Sequence, residues 1–210
     1  GNLERLDLSN NQLSELPRAS FSMMTSLLYL NLSKNTQLNV LPSTLFHPLT
    51  KLKVLDFSHT SLKLLSPELL LRSSSLQWLS MSNNLIQEFS ESMLQNLDNL
   101  TYLDLSYNQV TNIRPGTFSN LYHLKKLDLS GNKLTSFKGE LFITRRSNGT
   151  KLEELNLNDN NLSYLFPSSF RVHSKLQRLT AARNQFSFFP AELIVTLNYL
   201  QEVDLSSNLL

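Results

Sequence analysis

Apolar residues recur along this chain in units of the form LxxLxLxxNxLxxL, in which a polar position separates the paired leucines. In one unit, Leu103 and Leu105 form the L-x-L pair and Asn108 follows three residues later. Nine units begin near residues 3, 27, 52, 76, 100, 124, 152, 176 and 200. A unit this short cannot bury its apolar face alone, so copies in register must stack on one another. The pattern therefore predicts a solenoid with one coil per unit.

The alternation within each L-x-L pair predicts a short β-strand, because successive strand side chains point to opposite faces. Every coil runs in the same direction, so neighbouring strands are expected to be parallel and to line the concave face. The second half of each unit lacks a helical stripe, and six of the seven prolines follow the last apolar motif position. Because proline suits irregular or extended chain, we expect loops, short helical turns and a low helix content there.

A second apolar series runs through the other half of the units and is expected to fill the convex side of each coil. Its members lie five residues after the last apolar motif residue, at Phe21, Phe46, Leu70, Leu94, Phe118, Phe142, Phe170 and Ile194. In the eighth unit Ala181 replaces the second leucine, which leaves less apolar volume in that coil. We expect the nearby Phe186, Phe188 and Phe189 to compensate in part.

The recurring asparagine is predicted to have a structural role. It occurs at Asn11, Asn35, Asn84, Asn108, Asn132, Asn160, Asn184 and Asn208, and Thr60 takes its place in the third unit. An Asn after a short strand can turn the chain, and its side-chain amide can bond backbone groups of adjacent coils that strand pairing leaves free. Threonine offers a hydroxyl but no amide donor, so we expect a weaker ladder at the third coil.

These motifs resemble the leucine-rich-repeat family, specifically its 24-residue class with a phenylalanine spine. That class is typical of secreted proteins and receptor ectodomains, including Toll-like receptors, small proteoglycan cores and chaoptin-like adhesion proteins. The resemblance implies an α/β solenoid of low helix content, a right-handed horseshoe with a parallel sheet on its concave face. Residues 1–210 would form a single domain of about eight full repeats plus a partial ninth. We expect an internal segment of a longer ectodomain, without its caps.

Composition limits the classes of protein and of chemical site to which the chain can belong. Hydrophobic residues make up 40% and charged residues 17% of the chain, which is typical of a folded protein. No apolar run of about 20 residues is present, so no membrane span is expected within this segment. Cysteine is absent, which excludes thiol catalysis and thiolate metal sites and leaves a cytosolic repeat protein as an alternative. The four histidines are scattered and no phosphate-binding glycine loop is present, so we expect no enzyme, cofactor or metal site.

Four N-x-S/T sequons favour an extracellular location, with N-linked glycans predicted at Asn31, Asn99, Asn148 and Asn161. The alternative is chance, because a repeat rich in Asn and Ser produces sequons readily. Asn148 is the strongest candidate because it lies in the insertion that lengthens the sixth unit, where the chain is expected to loop into solvent.

Function is expected to depend on outward-facing strand residues, because the inward ones are used in packing. Tyr29, Val54, Trp78 and Tyr102 occupy the same position in successive units and predict a row of the kind that anchors protein interfaces, unless they serve only cross-strand packing. A second row contains Asp7, Asp56, Asp104, Asp128 and Asp204, whose carboxylates could instead bond neighbouring serines. The predicted partner-binding residues are Tyr29, Val54, Trp78, Tyr102, Tyr107, Asp56, Asp104, Arg178 and Arg183.

The net charge of +2 gives no strong case for nucleic acid, since the basic residues between positions 125 and 151 alternate with acidic ones. We predict a recognition module of an extracellular or cell-surface receptor or adhesion protein, anchored to the membrane outside this segment. Its partner would be a protein ligand or co-receptor. The alternatives are a Toll-type innate-immune pattern-recognition receptor, a structural solenoid that forms a homodimer in homophilic adhesion, and a cytosolic scaffold.

Overall fold

The computed structural model describes residues 1–142, 149–173, 175–189 and 191–210. Nine strands of three residues form one parallel sheet in chain order. They are β1 (Arg5–Asp7), β2 (Tyr29–Asn31), β3 (Val54–Asp56), β4 (Trp78–Ser80), β5 (Tyr102–Asp104), β6 (Lys126–Asp128), β7 (Glu154–Asn156), β8 (Arg178–Thr180) and β9 (Glu202–Asp204). Consecutive order without crossovers is the topology of a solenoid with one strand per coil, as the repeat spacing predicts.

Among the residues that the structure describes, helical structure is confined to short pieces outside the sheet. The α-helices α1 (Glu91–Leu94) and α2 (Ala191–Thr196) accompany two 3₁₀ turns, Gly139–Phe142 and Pro167–Phe170. The expectation of low helix content is therefore confirmed. Across the described ranges, no helix is long and apolar enough to cross a bilayer.

The core runs along the solenoid axis beneath the sheet. The middle leucine of each strand from β2 to β8 is buried, and it pairs in register with the middle residue of the next strand. On the convex side the phenylalanine series packs ring against ring, with centroids 6.2 Å apart for Phe21 and Phe46 and 5.1 Å apart for Phe118 and Phe142. Contact between adjacent coils therefore fills both halves of the interior.

The phenylalanine series departs from the repeat spacing in the eighth coil. Ile194 is 42% exposed, whereas its neighbour Leu193 is only 1% exposed, so the expectation for Ile194 was wrong. The cause is α2, in which residues four apart share a face. Leu193 of α2 and Leu197, which directly follows the helix, are both buried, and Ile194 is rotated toward solvent.

Compensation for Ala181 is also narrower than expected. Phe186 is buried and belongs to the same hydrophobic core as Ala181. Phe188 and Phe189 are 55% and 49% exposed, so they do not fill the coil. A single larger ring at the Phe186 position, where other coils carry aliphatic residues such as Leu134 and Leu162, replaces the lost volume.

The asparagines join neighbouring coils through their side-chain amides. Asn108 Nδ2 donates to the Leu105 carbonyl of its own coil at 3.1 Å and to the Met81 carbonyl of the preceding coil at 3.0 Å. Its Oδ1 accepts the backbone N–H of Ile86 at 3.0 Å. The same inter-coil bonds are made by Asn35, Asn84, Asn132, Asn160, Asn184 and Asn208. Each amide thus satisfies backbone groups that the three-residue strands leave unpaired.

At the third coil, the Thr60 hydroxyl donates to the Phe57 carbonyl of its own coil or to Asn84 Oδ1 of the fourth coil. Neither acceptor belongs to the second coil. The backbone N–H of Leu38, which would otherwise face this position, bonds the carbonyl of Asn35 within the second coil. The extra residue of the second unit creates that local turn. The irregular repeat length and the missing asparagine therefore occur together.

The residue before each ladder position has a left-handed backbone. Eight of these residues are not glycine and have φ between 50° and 60°: Asn10, Lys34, His59, Asn83, Tyr107, Asp159, Arg183 and Ser207. Gly131 completes the series in the sixth coil with φ 64°. This conformation is uncommon for residues with a Cβ. The turn after every strand is thus a fixed feature of the coil, which the leucine pattern does not reveal.

Candidate functional site

The outward positions of the strands form two rows on the concave sheet. Strand pairing aligns Tyr29, Val54, Trp78 and Tyr102, which we call the aromatic row. Two residues further along each strand lies the carboxylate row, which comprises Asp7, Asp56, Asp104, Asp128 and Asp204. Because strand side chains alternate between faces, both rows lie on the side opposite the buried leucines.

The aromatic row is ordered by contacts between its own side chains. The rings of Trp78 and Tyr102 are stacked, with centroids 5.2 Å apart and an interplanar angle of 2°. At the other end, the guanidinium carbon of Arg5 lies 3.5 Å from the centroid of the Tyr29 ring. Val54 separates the two groups. Cross-strand packing, the alternative considered for this row, is therefore present between Trp78 and Tyr102.

The middle of the sheet is acidic. Burial, followed by the negative charges of Asp104, Asp128, Asp56 and Glu154, raises the pKa of Tyr102 to about 12. The hydroxyl of Tyr102 therefore keeps its proton at neutral pH. Glu154 is paired with Lys126 of the neighbouring strand. The carboxylates of Asp56, Asp104 and Asp128 therefore remain as the negative charges near this ring that have no described basic partner, which favours cations over anions.

Each carboxylate of the second row bonds the turn that follows its strand. Asp56, Asp104 and Asp128 accept the backbone N–H of the serine two residues later, each at 2.9 Å. This local bond favours a turn after the strand. Similar serine contacts lower the pKa of Asp7 and of Asp204. Asp104 and Asp128 also use their second oxygen, which accepts from Ser80 Oγ at 3.3 Å and from Asn156 Nδ2 at 2.9 Å respectively. The structural use that the alternative interpretation of this row proposed is therefore present.

Three carboxylates of this row have no basic partner among the described residues, whereas Asp7 lies 4.0 Å from Arg5 Nη2. Within the described part of the chain, Asp56, Asp104 and Asp128 form no ion pair. Nor do the described His, Asp and Glu residues form any group of three that could hold a metal ion. The charge of Asp56, Asp104 and Asp128 is therefore not offset by any described basic side chain.

Basic candidates at the far end of the sheet are already paired. Arg178 contacts Glu202 at 3.0 Å, and Arg183 forms a two-pronged contact with Asp159, in which Nη2 lies 2.7 Å from Oδ2. The contact with Arg183 holds the pKa of Asp159 below its usual value, and Asp159 raises the pKa of Arg183. Exposed pairs of this kind contribute little to stability. They reduce the net charge that Arg178 and Arg183 present to a partner.

Tyr107 lies on the left-handed turn at the edge of the sheet, outside the aromatic row. It is 53% exposed, and its ring covers Gly131 of the next coil. A Cβ on Gly131 would approach Cδ1 of the ring to 2.5 Å. The Tyr107 ring can therefore pack over this turn only because residue 131 is glycine.

Family comparison agrees with the observed coil structure. Leucine rich repeat models match residues 1–62, 34–86, 50–110, 82–134 and 98–144, and a further one matches residues 151–172. The chain belongs to the leucine-rich-repeat family. A comparison with curated proteins gave no match.

Solved leucine-rich-repeat structures share this fold. The leucine-rich repeat domains of APL1B and APL1 match with TM-scores of 0.80 and 0.79 at 23% and 24% identity, over 99% of this chain and 56% and 50% of theirs. A chain from the octameric complex of Latrophilin 3 (Lec, Olf), Unc5D (Ig, Ig2, TSP1) and FLRT2 (LRR) matches with a TM-score of 0.85 at 27% identity, over 99% and 62%. The chain thus spans between 50% and 62% of these structures. Family and fold together support a protein-interaction module.

The sequons of this leucine-rich-repeat chain occupy different surfaces. Asn99 and Asn161 are exposed outside the sheet, although Asn99 Nδ2 donates to the Ser74 carbonyl at 2.9 Å. Asn31 lies on the concave face beside Asp56, and its Oδ1 accepts the backbone N–H of Ser33 at 2.9 Å. Asn148 falls within residues 143–148, which lie outside the described residues. Glycosylation at all four remains a prediction.

His173 is a buried polar residue that the sequence analysis did not single out. Its Nδ1 lies 2.8 Å from Thr150 Oγ1, and its ring meets the Phe142 ring edge-on with centroids 4.5 Å apart. No described residue bonds Nε2. Burial lowers the pKa of His173 to about 4, so the ring is neutral at physiological pH. The sequence could have predicted the burial of His173, because it lies three residues after Phe170. Other coils have leucine at this repeat position, such as Leu49.

Proposed function

We propose that this chain is a protein-recognition module of an extracellular or cell-surface receptor or adhesion protein, and that its concave face binds the partner. The observation that carries the proposal is the Trp78–Tyr102 stack, which is partly exposed beside Asp56 and Asp104, two carboxylates that form no ion pair with a described residue. Aromatic residues are enriched among interface residues that dominate binding energy. A solenoid holds them in a preformed surface, so little ordering cost accompanies binding.

The similar structures support this role without identifying a partner. FLRT2 (LRR) occurs in a complex with Latrophilin 3 and Unc5D, and this fold therefore serves protein assembly in that case. For the present chain, Tyr29, Trp78, Tyr102, Asp56 and Asp104 form the proposed centre of the interface. Tyr107 contributes at the edge, and Arg178 and Arg183 lie toward the far end.

Trp78→Ala is expected to weaken partner binding by about 30-fold, the loss typical of a central aromatic contact of about 2 kcal/mol. Its cost to folding is expected to be about 1 kcal/mol, because the ring is partly exposed and its main packing contact is one stacked neighbour. Affinity would be measured against a panel of purified extracellular proteins, and stability by urea denaturation. Tyr199→Ala removes an exposed ring outside the sheet and serves as the matched control. A partner lost with Tyr199→Ala but retained with Trp78→Ala would contradict the proposed surface.

The extracellular location predicts glycan on the exposed sequons of secreted protein. Peptide mass spectrometry after enzymatic deglycosylation in ¹⁸O-labelled water is expected to label Asn99 and Asn161, which are exposed outside the sheet. Asn148 is predicted to be labelled as well. A Thr101→Ala variant removes the Asn99 sequon and gives the matched unlabelled peptide. Secreted protein without label at any sequon would argue for a location inside the cell.

A further inference from the structure

The aromatic row contains a gap at Val54. Strands of a sheet lie about 4.8 Å apart, so the backbones that carry Tyr29 and Trp78 are about 9.6 Å apart, with the short side chain of Val54 between them. One face of Tyr29 is covered by Arg5 and one face of Trp78 by Tyr102. The two remaining faces border the gap. A flat group in van der Waals contact with both rings needs about 7 to 8 Å, which the gap provides.

The first coil shows what this row accepts. There the guanidinium of Arg5 lies against Tyr29, and Arg5 Nη2 is 4.0 Å from a carboxylate oxygen of Asp7, two residues along β1. In β3, Val54 occupies the row position that Arg5 has in β1, and Asp56 occupies the position of Asp7. The gap therefore has an aromatic wall and a carboxylate in the arrangement that already holds one guanidinium, plus a second wall from Trp78.

The charge of the surroundings favours the same occupant. Asp56 uses one oxygen for the Ser58 N–H and forms no ion pair with any described residue. The pKa of Tyr102, raised to about 12 by burial and then by Asp104, Asp128 and Asp56, shows that the negative charge extends beyond one residue. A guanidinium stacks on aromatic faces and pairs with carboxylates, whereas an ammonium is a more strongly hydrated point charge.

We propose that the slot formed by Tyr29, Val54, Trp78 and Asp56 binds the guanidinium of an arginine side chain presented by a protein partner. The ring faces of Tyr29 and Trp78 sandwich the guanidinium, Val54 forms the floor, and the carboxylate of Asp56 accepts its N–H groups. This inference rests on the proposed function, and it specifies the chemistry that the partner must present at the centre of the concave face.

The fluorescence of Trp78 reports on the slot directly, because it is the only tryptophan of the chain. The probe is a Gly/Ser peptide with two arginines, and its control replaces both with citrulline, which keeps the shape and removes the charge. The arginine peptide is expected to change the fluorescence saturably and to bind at least about tenfold more tightly than the citrulline peptide. A Ser33→Ala background removes the sequon of Asn31 but leaves its side chain in place. Equal response to both peptides would overturn the inference.

Two variants change the slot without touching the core. Val54→Tyr fills the gap with a third ring, and Asp56→Asn removes the charge but keeps the oxygen that caps Ser58. Each is expected to lower the affinity for the arginine peptide about tenfold. The far-ultraviolet circular dichroism spectrum and the urea midpoint are expected to stay near those of the parent. Asp204→Asn makes the same change in the same row six coils away and is expected to leave binding unaltered. Equal losses in Asp204→Asn and Asp56→Asn would contradict a local site.

The occupant could instead be a second copy of this chain. Sedimentation velocity over a concentration series separates the cases. If a second copy binds, Val54→Tyr abolishes a dimer, and that result would overturn binding of a separate partner.

Failure of the proposed function can be distinguished from failure of the slot. If Trp78→Ala weakens the binding of no partner but the arginine peptide still binds, the slot is supported and the proposed interface is not. If a partner is sensitive to Trp78→Ala yet indifferent to Val54→Tyr and Asp56→Asn, the interface stands and the slot fails.

Discussion

Asn108→Ala is expected to lower the free energy of unfolding by about 3 kcal/mol. The variant leaves the backbone N–H of Ile86 buried without its acceptor, and an orphaned buried donor costs about 1–3 kcal/mol. It also removes hydrogen bonds to the carbonyls of Met81, Leu105 and Ser106, each a modest net loss because those carbonyls keep another donor. Urea denaturation followed by circular dichroism measures the change.

The first coil supplies the matched control for Asn108. In the 210-residue chain Asn11 has the same place in its unit, but it is exposed, and its amide donates to carbonyls of its own coil, those of Leu8 and Ser9. Asn11→Ala is therefore expected to cost less than about 1 kcal/mol. Similar losses for Asn11→Ala and Asn108→Ala would show that the asparagine acts within one turn, and that the bonds between coils contribute little.

The repeat spacing was sufficient to predict the sheet, because its physical cause is local and periodic. Leu103 alternates with Tyr102 and Asp104 at period two, and a leucine in the same place of every unit leaves one register that buries them all. That register also aligns the two outward rows, so their membership could be read from the sequence. Parallel order follows from stacking units that all run the same way.

Features that depend on side-chain torsions or on irregular units could not be read from the spacing. The position of Arg5 over Tyr29 and the stack of Trp78 on Tyr102 reflect rotamers, which one sequence position does not fix. Ile194 turned outward because a helix of six residues replaced the looser chain of other coils. Four of the nine left-handed turn residues, Lys34, Tyr107, Arg183 and Ser207, are not of the types that favour this backbone, so composition gives only a partial signal.

Stability is expected to fall by about 3 kcal/mol as the pH is lowered from 6.5 to 4, through the protonation of His173. Burial holds the pKa of His173 at about 4 in the folded protein, against 6.5 when the chain is unfolded. Above pH 6.5 neither state binds this proton, so the full stability is present. Between pH 6.5 and 4 only the unfolded state binds it, which favours unfolding by about 1.4 kcal/mol per pH unit.

His173→Phe isolates this effect, because it removes the titrating group and keeps a ring against Phe142 and Phe170. The carboxyls of Asp159 and Asp204 have lowered pKa values, so their stabilising contributions are lost only near and below pH 4 and remain in both proteins. The difference between parent and variant in urea midpoints from pH 7.5 to 4.5 therefore reports His173 alone. A difference that stays constant with pH would mean that the imidazole accepts a proton in the folded chain as readily as in the unfolded one. In that case its unpartnered Nε2 must reach water or a carbonyl, and the convex side of the seventh coil must open to admit it.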